Sequence, residues 1–285
     1  EIPAGTLGER DKRLDHGTMI PLWFLDHYYK DYQVVRIGLS GLPLSMHYTV
    51  GQCIKTVSGL LGRRTAIIAS GDLSHKLKED GPYGFQAEGP QYDSRIMDVM
   101  GRGDFGELFD FSEEFCSKAA ECGHRSFVIM AGALDRLKVK SEKLSYEGPF
   151  GVGYGICTYE TECRDPQRNF LEQHEEQVRR AAEERRGKED AYVRLARQTI
   201  ETYVRARRKI TVPKDLPPEM YSEQAGVFVS LKEDGQLRGC IGTIAPVRDS
   251  IAEEIIENAV SAAMKDPRFQ PVEEEELDKL VYSVD

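Results

Sequence analysis

The chain has 285 residues, 40% hydrophobic and 30% charged, enough for two ordinary domains that each bury a core. A formal net charge of -10 argues against nucleic-acid binding, because phosphate contacts need clustered cations and the one basic cluster, Arg205 to Lys209, is short. No apolar stretch approaches membrane-spanning length, no signal peptide opens the chain, and its 6 cysteines include no CxxC pair; a cytoplasmic protein with reduced thiols and no membrane partner is expected.

From Leu14 to about Tyr159, short apolar runs alternate with helical patterns. Gln33–Leu39 reads as a strand. Val50, Ile54, Val57, Leu60 and Leu61 follow on one helical face, and Thr65–Ser70 reads as a second, buried strand. That order is what βαβ units of a largely parallel sheet flanked by helices produce. A further helix is expected from Glu113 to Leu137, with apolar residues at mixed spacings that suggest burial on several sides. Residues 164–188 turn to Arg, Glu, Gln and Lys and read as a solvated helical linker, with disorder as the alternative.

The grammar changes near Glu189. Tyr192, Leu195, Ala196, Thr199, Ile200 and Tyr203 recur at helical spacing, and Pro213, Pro217 and Pro218 then break the chain. Val227, Val229 and Leu231 alternate, Asp234-Gly235 supplies turn chemistry, and Leu237–Gly242 returns as the second arm of a hairpin. Ser250 and Glu253 have capping-box spacing ahead of a stripe formed by Ile251, Ala252, Ile255, Ile256, Ala259, Val260 and Ala263. An α/β domain over residues 1–163, a linker over 164–188 and a smaller α+β domain over 189–285 follow. Glu1 opens without a methionine and Leu280–Asp285 stops inside a strand-like run, which suggests a fragment cut at both ends.

Three segments of the first region could carry chemistry. Gly71-Asp72-Leu73-Ser74-His75 leaves the second strand at its carboxyl end, where open α/β sheets place ligands. A carboxylate beside the His75 imidazole would orient it and raise its basicity, as a general acid/base requires; the plain alternative is that Asp72 caps a turn and His75 is solvated. Asp15-His16-Gly17 sets a histidine in the turn before a helix, where it faces a cleft or lies at the surface beside a helix-entry aspartate. Glu121-Cys122-Gly123-His124 offers a carboxylate, a thiol and an imidazole, though the first two prefer different metals, and carboxylates at helix starts are common for dipole reasons alone. His27, His47 and His174 have no such company; His47 could cap a helix. In the second region, Arg238 suits an anion or a carboxylate partner. Cys240, between glycines, is read first as a small buried residue.

These residues carry a resemblance. Leu14-Asp15-His16-Gly17-Thr18-Met19-Ile20-Pro21-Leu22, Ser70–His75, and Glu121-Cys122-Gly123 leading into Met130-Ala131-Gly132-Ala133-Leu134 resemble, in order and spacing, the class III extradiol ring-cleaving dioxygenases, LigB-like, whose fold the Memo proteins share. Gly226–Leu231 and Leu237-Arg238-Gly239-Cys240-Ile241-Gly242-Thr243 are similar to the AMMECR-type domain, which bacterial and archaeal proteins fuse to the first in this order.

The resemblance implies a non-haem Fe(II) oxidoreductase, or an enzyme of another divalent metal, that cleaves the ring of a small catechol-like diol substrate with dioxygen. By position, His75 matches the acid/base beside the metal, Asp72 its orienting partner, His16 a second active-site histidine near substrate, and Glu121 the carboxylate ligand. Cys122 competes with Glu121, because the Memo branch places a cysteine at the metal. The family's two metal histidines find no match here and would lie upstream of Glu1. The alternative is a Memo-like metal-binding or redox accessory protein that partners a radical-SAM enzyme without dioxygenase activity. The family also suggests a homo-oligomer.

Overall fold

Asp15 sets the first turn of structure: its Oδ1 accepts the Thr18 amide at 2.8 Å and caps helix α1 (His16–Leu25). The computed structural model describes residues 14–233 and 236–285. The chain divides between His174 and Glu175 into two compact units. An α/β unit followed by a smaller α+β unit is the expected class, and none of the helices described is long and apolar enough to cross a membrane.

In the first unit, helix α2 (Leu44–Leu60) crosses a later helix at backbone contact. A Cβ on Gly51 would lie 2.0 Å from the Ile129 carbonyl oxygen, and one on Gly132 1.9 Å from that of Tyr48. Helix α3 (Glu88–Arg102) supplies Tyr92, Ile96 and Val99 to a core completed by Tyr48, Phe105, Leu108 and Val128, all fully buried. The helix expected over Glu113–Leu137 is two helices. Ala120, at φ 52°, ends α4 (Glu113–Ala119) in the left-handed region, and α5 (His124–Ala133) starts afresh after Gly123. Arg136 also takes positive φ, and the chain leaves as a strand, β1 (Leu137–Glu147), paired antiparallel with β2 (Tyr154–Arg164).

The strands expected at Gln33–Leu39 and Thr65–Ser70 do not form ladders. A strand acquires its hydrogen bonds only from a neighbour. With none among the described residues, Val34, Val35, Ile37, Leu39 and Ile68 stay exposed and the pairing in this unit is antiparallel.

The charged stretch carries α6 (Phe170–Arg186). In the second unit Asp190 caps α7 (Ala191–Ala206), which buries Leu195, Ala196, Thr199, Ile200 and Val204. A one-turn helix, α8 (Glu219–Ser222), leads to β3 (Phe228–Glu233) and β4 (Gln236–Gly242), and helix α9 (Ile251–Met264) precedes β5 (Val281–Val284). The three strands form one antiparallel sheet in the order β4-β3-β5, closed by α7 and α9 over a core of Leu195, Ile200, Val229, Leu231, Ile255 and Ala259. Asp234 and Gly235 lie outside the described residues. Half of the expected capping box forms. Ser250 Oγ accepts the Glu253 amide at 3.3 Å, whereas the Glu253 carboxylate accepts the amide of Asp249.

Candidate metal centre

Two glycines bring the site together. A Cβ on Gly71 would lie 2.3 Å from the Cα of Gly123, so the backbones touch and their neighbours, Asp72 and Cys122, face each other. The Cys122 amide donates to the Asp72 carbonyl at 3.3 Å, and the Asp72 amide donates to Cys122 Sγ at 3.2 Å.

The loop from Asp72 to Leu77 is held on every side. Leu73 and Ser74 exchange hydrogen bonds with Gly153, the Ser74 amide donates to Asp93 Oδ1 at 2.7 Å, and Ser74 Oγ and the His75 amide both donate to the Ala119 carbonyl. Asp93 is 1% exposed, and the Tyr146 hydroxyl donates to its other oxygen at 2.8 Å. Burial raises the Asp93 carboxyl above its ordinary pKa, against the lowering effect of these hydrogen bonds. Sequence reasoning missed Asp93. Its only signal was a lone carboxylate among the apolar positions of α3.

On this frame His75 Nε2 lies 3.2 Å from Asp72 Oδ2 and 4.0 Å from Cys122 Sγ, and one donor atom from each of the three residues falls within 4.8 Å of the others. Bonds of about 2.0–2.3 Å to a tetrahedral ion separate donor atoms by about 3.5 Å, so side-chain adjustments on the order of 1 Å would let an imidazole, a thiolate and a carboxylate share one cation. Burial raises the Cys122 thiol above its ordinary pKa, and Asp72 and Glu121 add to the effect. A metal must therefore displace its proton.

Glu121 has a different engagement. Its Oε2 accepts the His124 amide at 2.6 Å and caps α5, and burial raises its carboxyl above the ordinary range. It also lines, with Leu39, Ser40, Gly41, Cys122 and Arg125, a recess of about 240 Å³ beside the three-residue cluster. His124 turns into the core. Its Nε2 donates to the Leu108 carbonyl at 2.9 Å, which leaves Nδ1 to accept the Tyr92 hydroxyl at 3.2 Å; burial lowers its pKa to about 4. The four-residue run thus divides, with Cys122 in the cluster, Glu121 on the helix start and His124 inside.

His16 is exposed at the first turn of α1, and the next residue ties that turn to the site loop: the Gly17 carbonyl accepts Ser70 Oγ at 2.6 Å, two residues before Asp72. His47 lies inside the first turn of α2, its Nδ1 donating to the Pro43 carbonyl at 3.1 Å. His27 donates to the Trp23 carbonyl, and His174 stacks on Phe109. Tyr83, which stacks on His75, also escaped sequence reasoning; an aromatic in Gly81-Pro82-Tyr83-Gly84 was its signal.

In the second unit Arg238 forks onto Glu276 at 2.6 and 3.1 Å and donates to the Gln270 carbonyl. Cys240 is half-buried; its amide donates to Asp266, its carbonyl accepts Arg268, and its Sγ accepts Ser230 Oγ at 3.1 Å. Arg268 holds the Asp266 carboxyl well below the carboxylate range. Both motif residues are tied into the domain.

Comparison with known proteins agrees with this division. Residues 193–285 match the AMMECR1 family and residues 1–157 the family described as the catalytic LigB subunit of aromatic ring-opening dioxygenase. Protein CA_C1420 of Clostridium acetobutylicum is 41% identical over 273 residues, 95% of this chain and 58% of its own length. A protein of Thermotoga maritima is 48% identical over 98 residues, 34% of this chain and 56% of its own. The crystal structure of the uncharacterized protein PH0010 from Pyrococcus horikoshii, 45% identical, aligns with 33% of this chain and 47% of its own at a TM-score of 0.31. The chain spans about half the length of the curated relatives it matches. It belongs to the LigB family, whose members are generally metal-dependent, and carries an AMMECR1 domain after the LigB domain.

Proposed function

We propose that the LigB domain binds a divalent metal through His75 and Cys122, with Asp72 beside them, and acts on a small molecule as a Memo-like metal-binding or redox protein. The observation that carries this reading is the convergence of Asp72, His75 and Cys122, one donor atom from each within 4.8 Å. Bound there, a metal would supply Lewis acidity or one-electron chemistry. Cys122 would give up its proton on binding, and Asp72 would accept the hydrogen bond of whichever His75 tautomer carries a proton at Nε2. His75 has one Nε2 for both tasks, so ligation there replaces the bond to Asp72.

The test is metal analysis and absorption spectroscopy on the full-length protein. Loss of a thiolate-to-metal band in Cys122→Ser, with Glu121→Gln retaining the metal, is the expected result. A site that survives Cys122→Ser and fails with Glu121→Gln would overturn the reading.

The Asp72–His75 hydrogen bond favours a second reading, Fe(II)-dependent cleavage of a catechol-like ring. His75 would then be the acid/base oriented by Asp72, His16 a histidine near substrate and Glu121 the carboxylate ligand. Catechol cleavage lost in His75→Ala and His16→Ala would support it. A radical-SAM partner, a homo-oligomeric state and a cytoplasmic location are supported by family resemblance and composition alone.

A further inference from the structure

The chain that follows His75 returns upon it. Leu77 and Phe85 form an isolated antiparallel bridge, and between them Gly81 and Gly84 donate to Lys78 and Gly81 carbonyls at 3.1 and 3.2 Å. Gly151, at φ +86°, lets this loop pack backbone to backbone, since a Cβ there would lie 3.0 Å from the Cα of Gly81. Lys76 Nζ donates to the Tyr83 carbonyl at 2.6 Å, and Lys78 Nζ donates to that of Pro149 at 2.9 Å. The loop is therefore fastened at both glycines and both lysines, and it lays the Tyr83 ring on the His75 imidazole, with centroids 5.0 Å apart and planes 24° from parallel. Tyr83 is 55% exposed, so filling the core does not account for it.

We propose that Tyr83 is a positioning residue for His75, its ring fixing the imidazole plane so that Nε2 stays turned toward Asp72 and Cys122. A single side-chain hydrogen bond, here 3.2 Å long, leaves a histidine broad freedom about its outer torsion. A stacked ring removes that freedom before any ligand arrives, which is preorganisation. The consequence for ligand binding rests on the metal reading of this site; the orientation of the ring does not.

The full-length protein labelled with carbon-13 at histidine separates the two. In the metal-free state the His75 Hε1 resonance, assigned by its absence in His75→Gln, carries the ring-current displacement of the stacked ring. Tyr83→Phe is expected to keep that displacement and the restricted motion of the His75 Cε1–Hε1 bond read by carbon-13 relaxation, whereas Tyr83→Ala and Tyr83→Leu, the latter keeping apolar bulk, lose the displacement and free that motion with the far-ultraviolet circular dichroism unchanged. Cobalt(II) titration is then expected to show Tyr83→Phe binding as the wild type does and the other two binding about three- to tenfold more weakly. Unchanged His75 bond motion in Tyr83→Leu would overturn the proposal, as would cobalt affinity equal to wild type in a variant whose imidazole has been freed. Failure of the wild-type protein to bind cobalt would count against the metal reading alone, with the relaxation of the His75 ring still deciding its orientation.

Discussion

The two units each place a cysteine beside a closely packed glycine backbone, and they use it oppositely. Cys240 sits in β4 with its amide, carbonyl and sulfur all bonded within the domain, and the neighbouring Arg238 spends its guanidinium on Glu276 and a backbone carbonyl. Cys122 faces a carboxylate and an imidazole across a gap that an ion could fill. The Leu-Arg-Gly-Cys-Ile-Gly motif of the second unit is the one absorbed into structure. The cysteine after Glu121 converges on other reactive groups. A motif can mark residues that packing constrains, so its presence alone does not locate chemistry.

The widest test of this contrast exchanges the two sulfurs. Cys122→Ser should weaken divalent-metal binding by more than about 100-fold, while Cys240→Ser leaves it unchanged, measured by competition with a chromophoric chelator. Equal losses would erase the distinction.

The core of the first unit supplies the next largest effect. His124 is held neutral with its pKa lowered to about 4. The unfolded chain binds a proton near pH 6.5 and the folded one does not, so this contribution is complete above that pH and is lost as pH falls toward 4. It amounts to about 3 kcal/mol across the window. Chemical denaturation followed by far-ultraviolet circular dichroism should show the wild-type advantage over His124→Gln shrinking over that range; a constant difference would remove His124 as the cause.

Arg238 belongs to the second unit, and its removal should be a stability defect only. Arg238→Met leaves Glu276 half-buried without its partner and should cost about 2 kcal/mol in that unit's unfolding, with metal affinity untouched. A loss of metal binding would place Arg238 in the chemistry after all. Ser250→Ala, which removes the α9 cap, should cost about 1 kcal/mol by the same measurement.

Local patterns were readable where the chain's own periodicity decides the outcome. Helices α7 and α9 bury the expected stripes, and the β3–β4 pairing falls where alternation and turn residues placed it. Gln33–Leu39 and Thr65–Ser70 have strand composition, but a ladder needs a partner that their own residues do not specify. The break at Ala120 was hidden because an alanine at positive φ has no compositional mark. Asp72 and His75, three residues apart, were visible as a pair. Family resemblance alone pointed to Cys122, in competition with Glu121, and that His124 turns inward was not visible, because both outcomes depend on contacts distant in sequence, 50 residues apart for Asp72 and Cys122 and 16 for Leu108 and His124.

By itself, the sequence determined the two-part organisation, the helices and hairpin of the second unit, and the residues able to do chemistry, because periodicity, capping and side-chain type are local properties. The tertiary structure decided which of those residues meet. Gly71 against Gly123 selects Cys122, the start of α5 takes Glu121, and the packing of Tyr92 and Leu108 draws His124 inward, because backbone approach and burial are set by the whole fold.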